Sequence, residues 1–146
     1  MTDKYTIIKE SFDTTSGVTT VEISTVLGNF VGTTTIDDID AQYPSLYHAN
    51  EIAMAKALRK FAKAAIRTLK MEVKMLKCMV TETFGHGPVD TKSHPVKVLL
   101  STLKTKEKEL ALWMPRYEAM SASITNRIAA RDKIVKGYMD KVNKAN

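Results

Sequence analysis

The chain has 146 residues, a net charge of +6, and apolar and charged fractions of 44% and 26%, which exclude a disordered polymer and favour one domain with a modest core. No stretch approaches the roughly 18 uncharged apolar residues of a membrane span, and the N-terminus lacks the layout of a secretory signal. The single cysteine, Cys78, cannot form an internal disulfide, so we expect a cytoplasmic protein.

The first 36 residues are rich in Thr, Val and Ile and predict an antiparallel β-sheet. The expected strands are residues 5–12, 18–26 and 30–36. Leu27-Gly28-Asn29 predicts a tight turn, because Gly and Asn tolerate positive φ. Gly32, inside the third strand, indicates a bulge or a close neighbour. Three short strands cannot bury both faces, so the sheet must pack on helices or on another subunit.

Two long helices are predicted next, over residues 44–84 and 94–142. Pro44 suits the first helical position, and the following run is dense in Ala, Leu, Lys and Met. Residues 85–88 read Gly-His-Gly-Pro and end the first helix, while Ser93 is a suitable N-cap for the second. Pro115 predicts a kink inside that second helix.

The loop between the helices is short, so they should return as an antiparallel hairpin. The predicted fold is α+β, with a small N-terminal antiparallel β-sheet head followed by a long antiparallel two-helix hairpin, in a single domain (residues 1–146, with the β head in 1–40). Folding the chain about residue 89 places Arg127 and Arg131 near Tyr47 and Glu51, close to the sheet.

Arg127 and Arg131 are four residues apart and share a helix face. Arg131 occupies a seam position, where a guanidinium needs an anion or a carbonyl as its partner. One interpretation is structural: the side chain reaches solvent, or it pairs with Glu51 or with the carboxylates of residues 37–40. The other is a bound phosphate or nucleotide, because arginine forks match phosphate geometry.

A basic stripe follows the first helix between Glu51 and Lys77. Its members are Lys56, Arg59, Lys60, Lys63, Arg67, Lys70, Lys74 and Lys77. The stripe is either a solvated helix flank or a surface for nucleic-acid backbone. Phe61 is the only ring among these residues, which argues against single-strand binding by stacking.

Aromatic residues are expected near the junction of sheet and helices, namely Phe30, Tyr43, Tyr47 and Tyr138. Each either fills the boundary or stacks on a base. With the arginine pair and Asn126 they outline a candidate small-ligand pocket.

The sequence offers little for metal or covalent chemistry. Cys78, His86 and His94 match no zinc spacing, and residues 37–40 lack the Gly and distal Glu of a calcium loop. Cys78, which its helix phase is expected to bury, has no His close in sequence, and no phosphate-loop or nucleophile-elbow motif occurs. We therefore predict no catalytic residues, no metal ligands and no cofactor, and no enzyme.

Three features together resemble a class of small bacteriophage proteins. These are a turn-linked Thr/Val strand pair (residues 21–32), an Asp-rich step (37–40) and a Lys/Ala-rich helical hairpin. Within that class the layout is similar to the phage Thoeris anti-defence sponges. Those proteins sequester a cyclic ADP-ribose signal of host immune enzymes, without cleaving it, in a pocket between head and tail. They assemble as dimers, and some as hexamers that hold other cyclic nucleotides.

The resemblance implies that Arg127 and Arg131 clamp phosphates and that an aromatic near the head, Tyr47 or Phe30, stacks on the base. Phe84 and Asn126 are further candidates by residue type. It also implies a homo-dimer or hexamer in the host cytoplasm, and we expect a second protomer to cover outer apolar residues such as Trp113, Met79 and Val80. The alternative is a phage accessory protein that binds nucleic acid or a host protein through the basic stripe.

Overall fold

The computed structural model describes residues 1–35 and 45–145, and the side chains among them except those of 45–48. The elements are β1 (Tyr5–Asp13), β2 (Val18–Thr25), β3 (Gly28–Thr35), α1 (Ser45–Gly85) and α2 (His94–Ala145). A three-stranded antiparallel sheet followed by two helices confirms the predicted fold class. Pro44, Tyr43 and the carboxylates of residues 37–40 lie outside the described residues.

The chain divides into two compact units. The sheet unit comprises Thr2–Phe61 and Tyr117–Asn146, and the hairpin unit comprises Met1 and Ala62–Arg116. Both helices contribute to both units, and α2 is assigned as one helix through Pro115.

The sheet has the order β1-β2-β3, so β2 is central and both other strands are edges. One face of β2 is buried through Thr19, Val21 and Ile23, as the alternation of residue types predicts. All residues of β1 are exposed. The ladder between β1 and β2 shifts register between Ile7 and Lys9, a bulge that the sequence did not reveal.

The backbone of α1 lies directly on β3. A Cβ atom placed at Gly32 would overlap Ala53 O and lie 2.6 Å from Ala57 N, so only glycine fits at this position. Ala53 and Ala57 are themselves fully buried, and their small side chains allow the approach. Of the two expectations for Gly32, the close neighbour is confirmed.

The turn between β2 and β3 is one residue earlier than predicted. Val26 and Leu27 form it, and Gly28 opens β3 with a φ of 113°. Thr25 Oγ1 donates to Gly28 O at 2.8 Å and accepts from Leu27 N, which fixes this two-residue hairpin. The positive φ of glycine is therefore used immediately after the turn, rather than within it.

In the hairpin unit, two predictions about which side chains are buried are wrong. Trp113 was expected on the outside but is 3% exposed, with the Arg116 guanidinium 4.9 Å from its ring centroid. Cys78 was expected to be buried but is exposed. On α1 the buried apolar residues of this unit end at Val73, and Met79 beyond it is exposed as expected.

Candidate functional site

The arginine pair lies in the sheet unit, and its first member is neutralised. Arg127 forms an ion pair with Glu51, and its Nε donates to Ser123 Oγ at 3.2 Å. In the hairpin unit, Lys106 and Glu72 pair at 2.9 Å, and the hydrogen bond that Lys106 donates to the Glu72 carboxylate raises the pKa of Lys106. Both pairs are symmetric about the predicted fold-back point, so each unit agrees with the predicted helix register.

Arg131 has a backbone partner. Its side chain is 17% exposed, and Nη1 donates to Thr35 O at 3.2 Å, at the end of β3. Asp132, which is exposed, lies 3.8 Å away. A carbonyl therefore holds this seam arginine in place, and Glu51 is engaged by Arg127 instead.

Two lysines on α1 continue the same pattern along β3. Lys60 Nζ donates to Val31 O at 2.7 Å, and Lys56 Nζ donates to Thr33 O at 3.1 Å. Together with Arg131 on Thr35 O, they contact alternate carbonyls on one edge of the sheet. We call Lys56, Lys60 and Arg131 the cationic row.

These bonds do not cancel the charges of Lys56 and Lys60, because a carbonyl oxygen satisfies a donor but carries only a dipole, whereas Arg131 also lies 3.8 Å from the Asp132 carboxylate. The pKa of Lys56 is lowered from its ordinary value of 10.5, first by burial and then by neighbouring positive charges. Those neighbours are Arg59, Arg131 and Lys60. The row is therefore a concentration of positive charge in which an anion would relieve repulsion.

An open groove of about 350 Å³ lies beside the Arg127–Glu51 pair. Its other lining residues are Asn50, Met54, Ala55, Leu58, Met120 and Ser123, so an apolar surface adjoins a charged pair. Arg127 and Arg131 are separated by one helical turn, about 6 Å along the axis. Arg127 therefore lines the groove, and Arg131 of the cationic row lies one helical turn further along α2.

The other predicted site residues are distributed over both units. Phe30 stacks on the buried Phe61 with ring centroids 5.8 Å apart, a contact that favours its role as core filler. Asn126 is exposed in the sheet unit, and the side chain of Tyr47 lies outside the described residues. Phe84 is near the end of α1 and belongs to the hairpin unit.

In the hairpin unit, the exposed cations of the basic stripe include Lys63, Arg67, Lys70 and Lys74. Lys77 approaches Glu107 at 3.9 Å. The predicted continuous stripe is therefore divided, because Lys56 and Lys60 bind the sheet while these later residues face outward.

Within residues 1–35 and 45–145 no three His, Cys, Asp or Glu side chains are grouped to hold a metal ion. Over the same ranges no helix has an apolar stretch long enough to cross a membrane. Comparisons with protein-family models, curated proteins and solved structures gave no significant match to this chain.

Proposed function

We propose that the protein is a non-enzymatic sponge, which binds a cyclic nucleotide or cyclic ADP-ribose signal of a host immune pathway and sequesters it without cleavage. The observation that carries the proposal is the cationic row, whose three cations lie along one edge of the sheet and donate to its carbonyls. The ammonium groups of Lys56 and Lys60 each have three N–H donors, and each of these two bonds uses one.

The cationic row and the groove contact different parts of such a ligand. Phosphates contact the row, where arginine and lysine supply charge-assisted hydrogen bonds. The base or ribose enters the groove, whose volume of about 350 Å³ is within the usual range for small-molecule sites. Arg127 acts chiefly by holding Glu51 at the groove wall, so we assign the stronger phosphate contact to Arg131.

The test is to incubate the purified protein with a panel of cyclic nucleotides and cyclic ADP-ribose isomers, remove free ligand, and then denature it by heat. Recovery of one unmodified compound supports a sponge and identifies the signal. Recovery of nothing from the wild-type chain, or of a cleaved product, contradicts the proposal.

Substitutions in the cationic row test whether the ligand binds there. Arg131→Gln keeps a donor for Thr35 O but removes the charge, and Lys56→Gln with Lys60→Gln does the same for the other carbonyls. We expect each variant to weaken retention at least about tenfold, the loss that follows from one charge-assisted hydrogen bond. The matched control is Lys63→Gln with Lys70→Gln, which should retain the ligand.

A second function is favoured by the exposed cations of the hairpin unit. Lys63, Arg67, Lys70 and Lys74 recur every three or four residues on α1, a spacing that suits a nucleic-acid backbone. Binding through them would weaken steeply with salt and would be lost in Lys63→Glu with Lys70→Glu. The row variants would leave such binding unchanged, which distinguishes the two functions.

A further inference from the structure

The outer strand β1 is exposed along its whole length, and Asn50 Nδ2 of α1 donates to Glu10 Oε1 at 3.5 Å. Each of its residues is exposed, and the apolar side chains among them are 36–49% exposed (Tyr5, Ile7, Ile8 and Phe12). An edge strand with exposed apolar side chains is a template for pairing with another chain. The opposite edge differs, because the cationic row occupies carbonyls of β3.

The direction of the backbone groups in β3 follows from its turn. Thr25 and Gly28 flank a two-residue hairpin loop and so form a hydrogen-bonded pair, after which bonded and non-bonded pairs alternate. Residues 31, 33 and 35 therefore direct their N–H and C=O groups away from β2, in agreement with the bonds made by the row.

The same alternation orients β1. Thr20 and Glu22 of β2 direct their N–H and C=O groups away from β3 and toward β1. Their partners in β1 are Ser11 and Lys9, respectively. The N–H and C=O groups of Glu10 and Phe12, which alternate with them, consequently point away from the sheet. A second strand would bind these groups.

We propose that β1 pairs antiparallel with β1 of a second copy of this chain, about a twofold axis at Ser11, so that the two sheets become one. In this register Glu10 faces Phe12 of the second copy, and each such pair exchanges two backbone hydrogen bonds. Lys9 then lies opposite Asp13 of the second copy, and the symmetry produces this opposite-charge pair twice.

The competing registers are less favourable. Hydrogen bonding needs outward-pointing residues on both strands, and in the segment after the bulge (Lys9–Asp13) the registers match Glu10 and Phe12 with themselves or with each other. Matching Glu10 with itself opposes like charges. Matching Phe12 with itself moves Lys9 opposite the turn after β1 and loses the pair with Asp13.

The same arrangement covers part of the apolar surface of β1, at Phe12. Tyr5, Ile7 and Phe12 are paired with Thr25, Ile23 and Thr19 of β2, so they lie on the face of the sheet that carries the buried side chains. A twofold axis perpendicular to the sheet keeps this face common to both copies. In this register Phe12 is the apolar side chain within the paired segment, next to Glu10 of the second copy, while Tyr5 and Ile7 lie opposite residues 17 and 15 of the turn after β1.

A designed disulfide tests the register. Ser11 of the two copies forms a non-hydrogen-bonded pair, whose Cα atoms lie about 4.5 Å apart, within reach of a disulfide. Ser11→Cys, in a Cys78→Ser background, should give a covalent dimer under mild oxidation. Thr6→Cys in the same background is the control and should not, because Thr6 also lies on β1 but has no symmetric partner. Failure of Ser11→Cys to cross-link overturns the proposal.

A charge reversal tests the interface without a covalent bond. Lys9→Glu places two like-charge pairs across the strands and should weaken the dimer about tenfold. Lys4→Glu makes the same change in net charge just before β1 and should not weaken it. Sedimentation at micromolar concentration is the measurement. A monomeric wild-type chain, or a dimer that Lys9→Glu leaves intact, contradicts the proposal.

Discussion

The two edge strands of the sheet differ in how side chains from the helices contact their outward-pointing backbone groups. Along β3, Lys56, Lys60 and Arg131 donate to carbonyls that point out of the sheet. Along β1 the corresponding groups of Glu10 and Phe12 face outward from a fully exposed strand. Edge strands need protection against unwanted pairing, so the difference indicates which edge is closed and which is available.

The spacing of the lysines explains how a helix can protect a strand. Four residues of helix advance about 6 Å, and two residues of strand advance about 6.6 Å. Lysines four apart on α1 therefore reach carbonyls two apart on β3. Gly32, between those carbonyls, lets the helix approach closely enough for this match.

The largest expected effect is from Gly32→Val, which would separate α1 from β3. Because a side chain there overlaps the backbone of Ala53, we expect a loss of roughly 3 kcal/mol or more in the free energy of unfolding. Urea denaturation measures it. Gly137→Ala is the control, since a Cβ there meets nothing within 4 Å and alanine is the better helix former.

Removing the protection of β3 should come next in size. Lys56→Met with Lys60→Met keeps the apolar stems but removes both donors, at about 1 kcal/mol for each bond. The freed edge, together with β1, should allow open-ended association into species larger than a dimer. Light scattering checks this, with Lys63→Met and Lys70→Met as the control. A variant that associates no further than the wild type would show that the row does not protect this edge.

Arg127 provides a contrast with Arg131, because it binds a side chain and not the sheet edge. A double-mutant cycle of Arg127→Ala and Glu51→Gln should give a coupling of about 1 kcal/mol, modest because both side chains are partly exposed. Association should remain that of the wild type in all variants of this cycle. If Arg127→Ala increased association, the protection of β3 could not be attributed to the cationic row alone, and this would contradict the assignment.

The smallest effect concerns Asp13, where β1 ends. Its carboxylate accepts from Thr15 N at 2.8 Å and from Ser16 N, which lowers its pKa below the ordinary value of 3.8. A depressed folded-state pKa adds stability above the unfolded pKa, and this stability is lost as pH falls through the folded value. The stability difference between wild type and Asp13→Ala should therefore be constant near neutral pH and shrink in acid. Guanidinium unfolding across that range checks it, and a difference that grows in acid would contradict it.

Much of the fold could be predicted because period, turns and caps act locally. The strands and helices lie within a few residues of their predicted bounds, and α2 begins after Ser93, whose carbonyl accepts from Lys97 N at 3.0 Å. The burial of Trp113 was missed because a strict seven-residue repeat counted from Leu100 places Met114 on the buried side of α2, whereas a straight helix drifts about 20° per heptad. Cys78 was missed because apolar residues of α1 continue beyond the part of the helix that is buried.

The candidate site was predicted less completely, for a different reason. The proximity of Arg127 to Glu51 follows from folding the chain about residue 89, and the ion pair between them confirms it. The partners of Lys56 and Lys60 are backbone carbonyls, which leave no mark on residue identity. The signal that the sequence offered was the spacing of Lys56 and Lys60, four residues apart on α1, together with Gly32 in the third strand. The two lysines were interpreted as part of the basic stripe.

The difference between the two edges is the central claim, and amide hydrogen exchange at increasing protein concentration tests it most directly. We predict that the amides of Glu10 and Phe12 become protected as concentration rises, while those of Val31 and Thr33 keep their exchange rates. Unprotected Glu10 and Phe12 at every concentration would contradict pairing through β1. New protection at Val31 and Thr33 would show instead that the chain associates through the edge that the cationic row contacts.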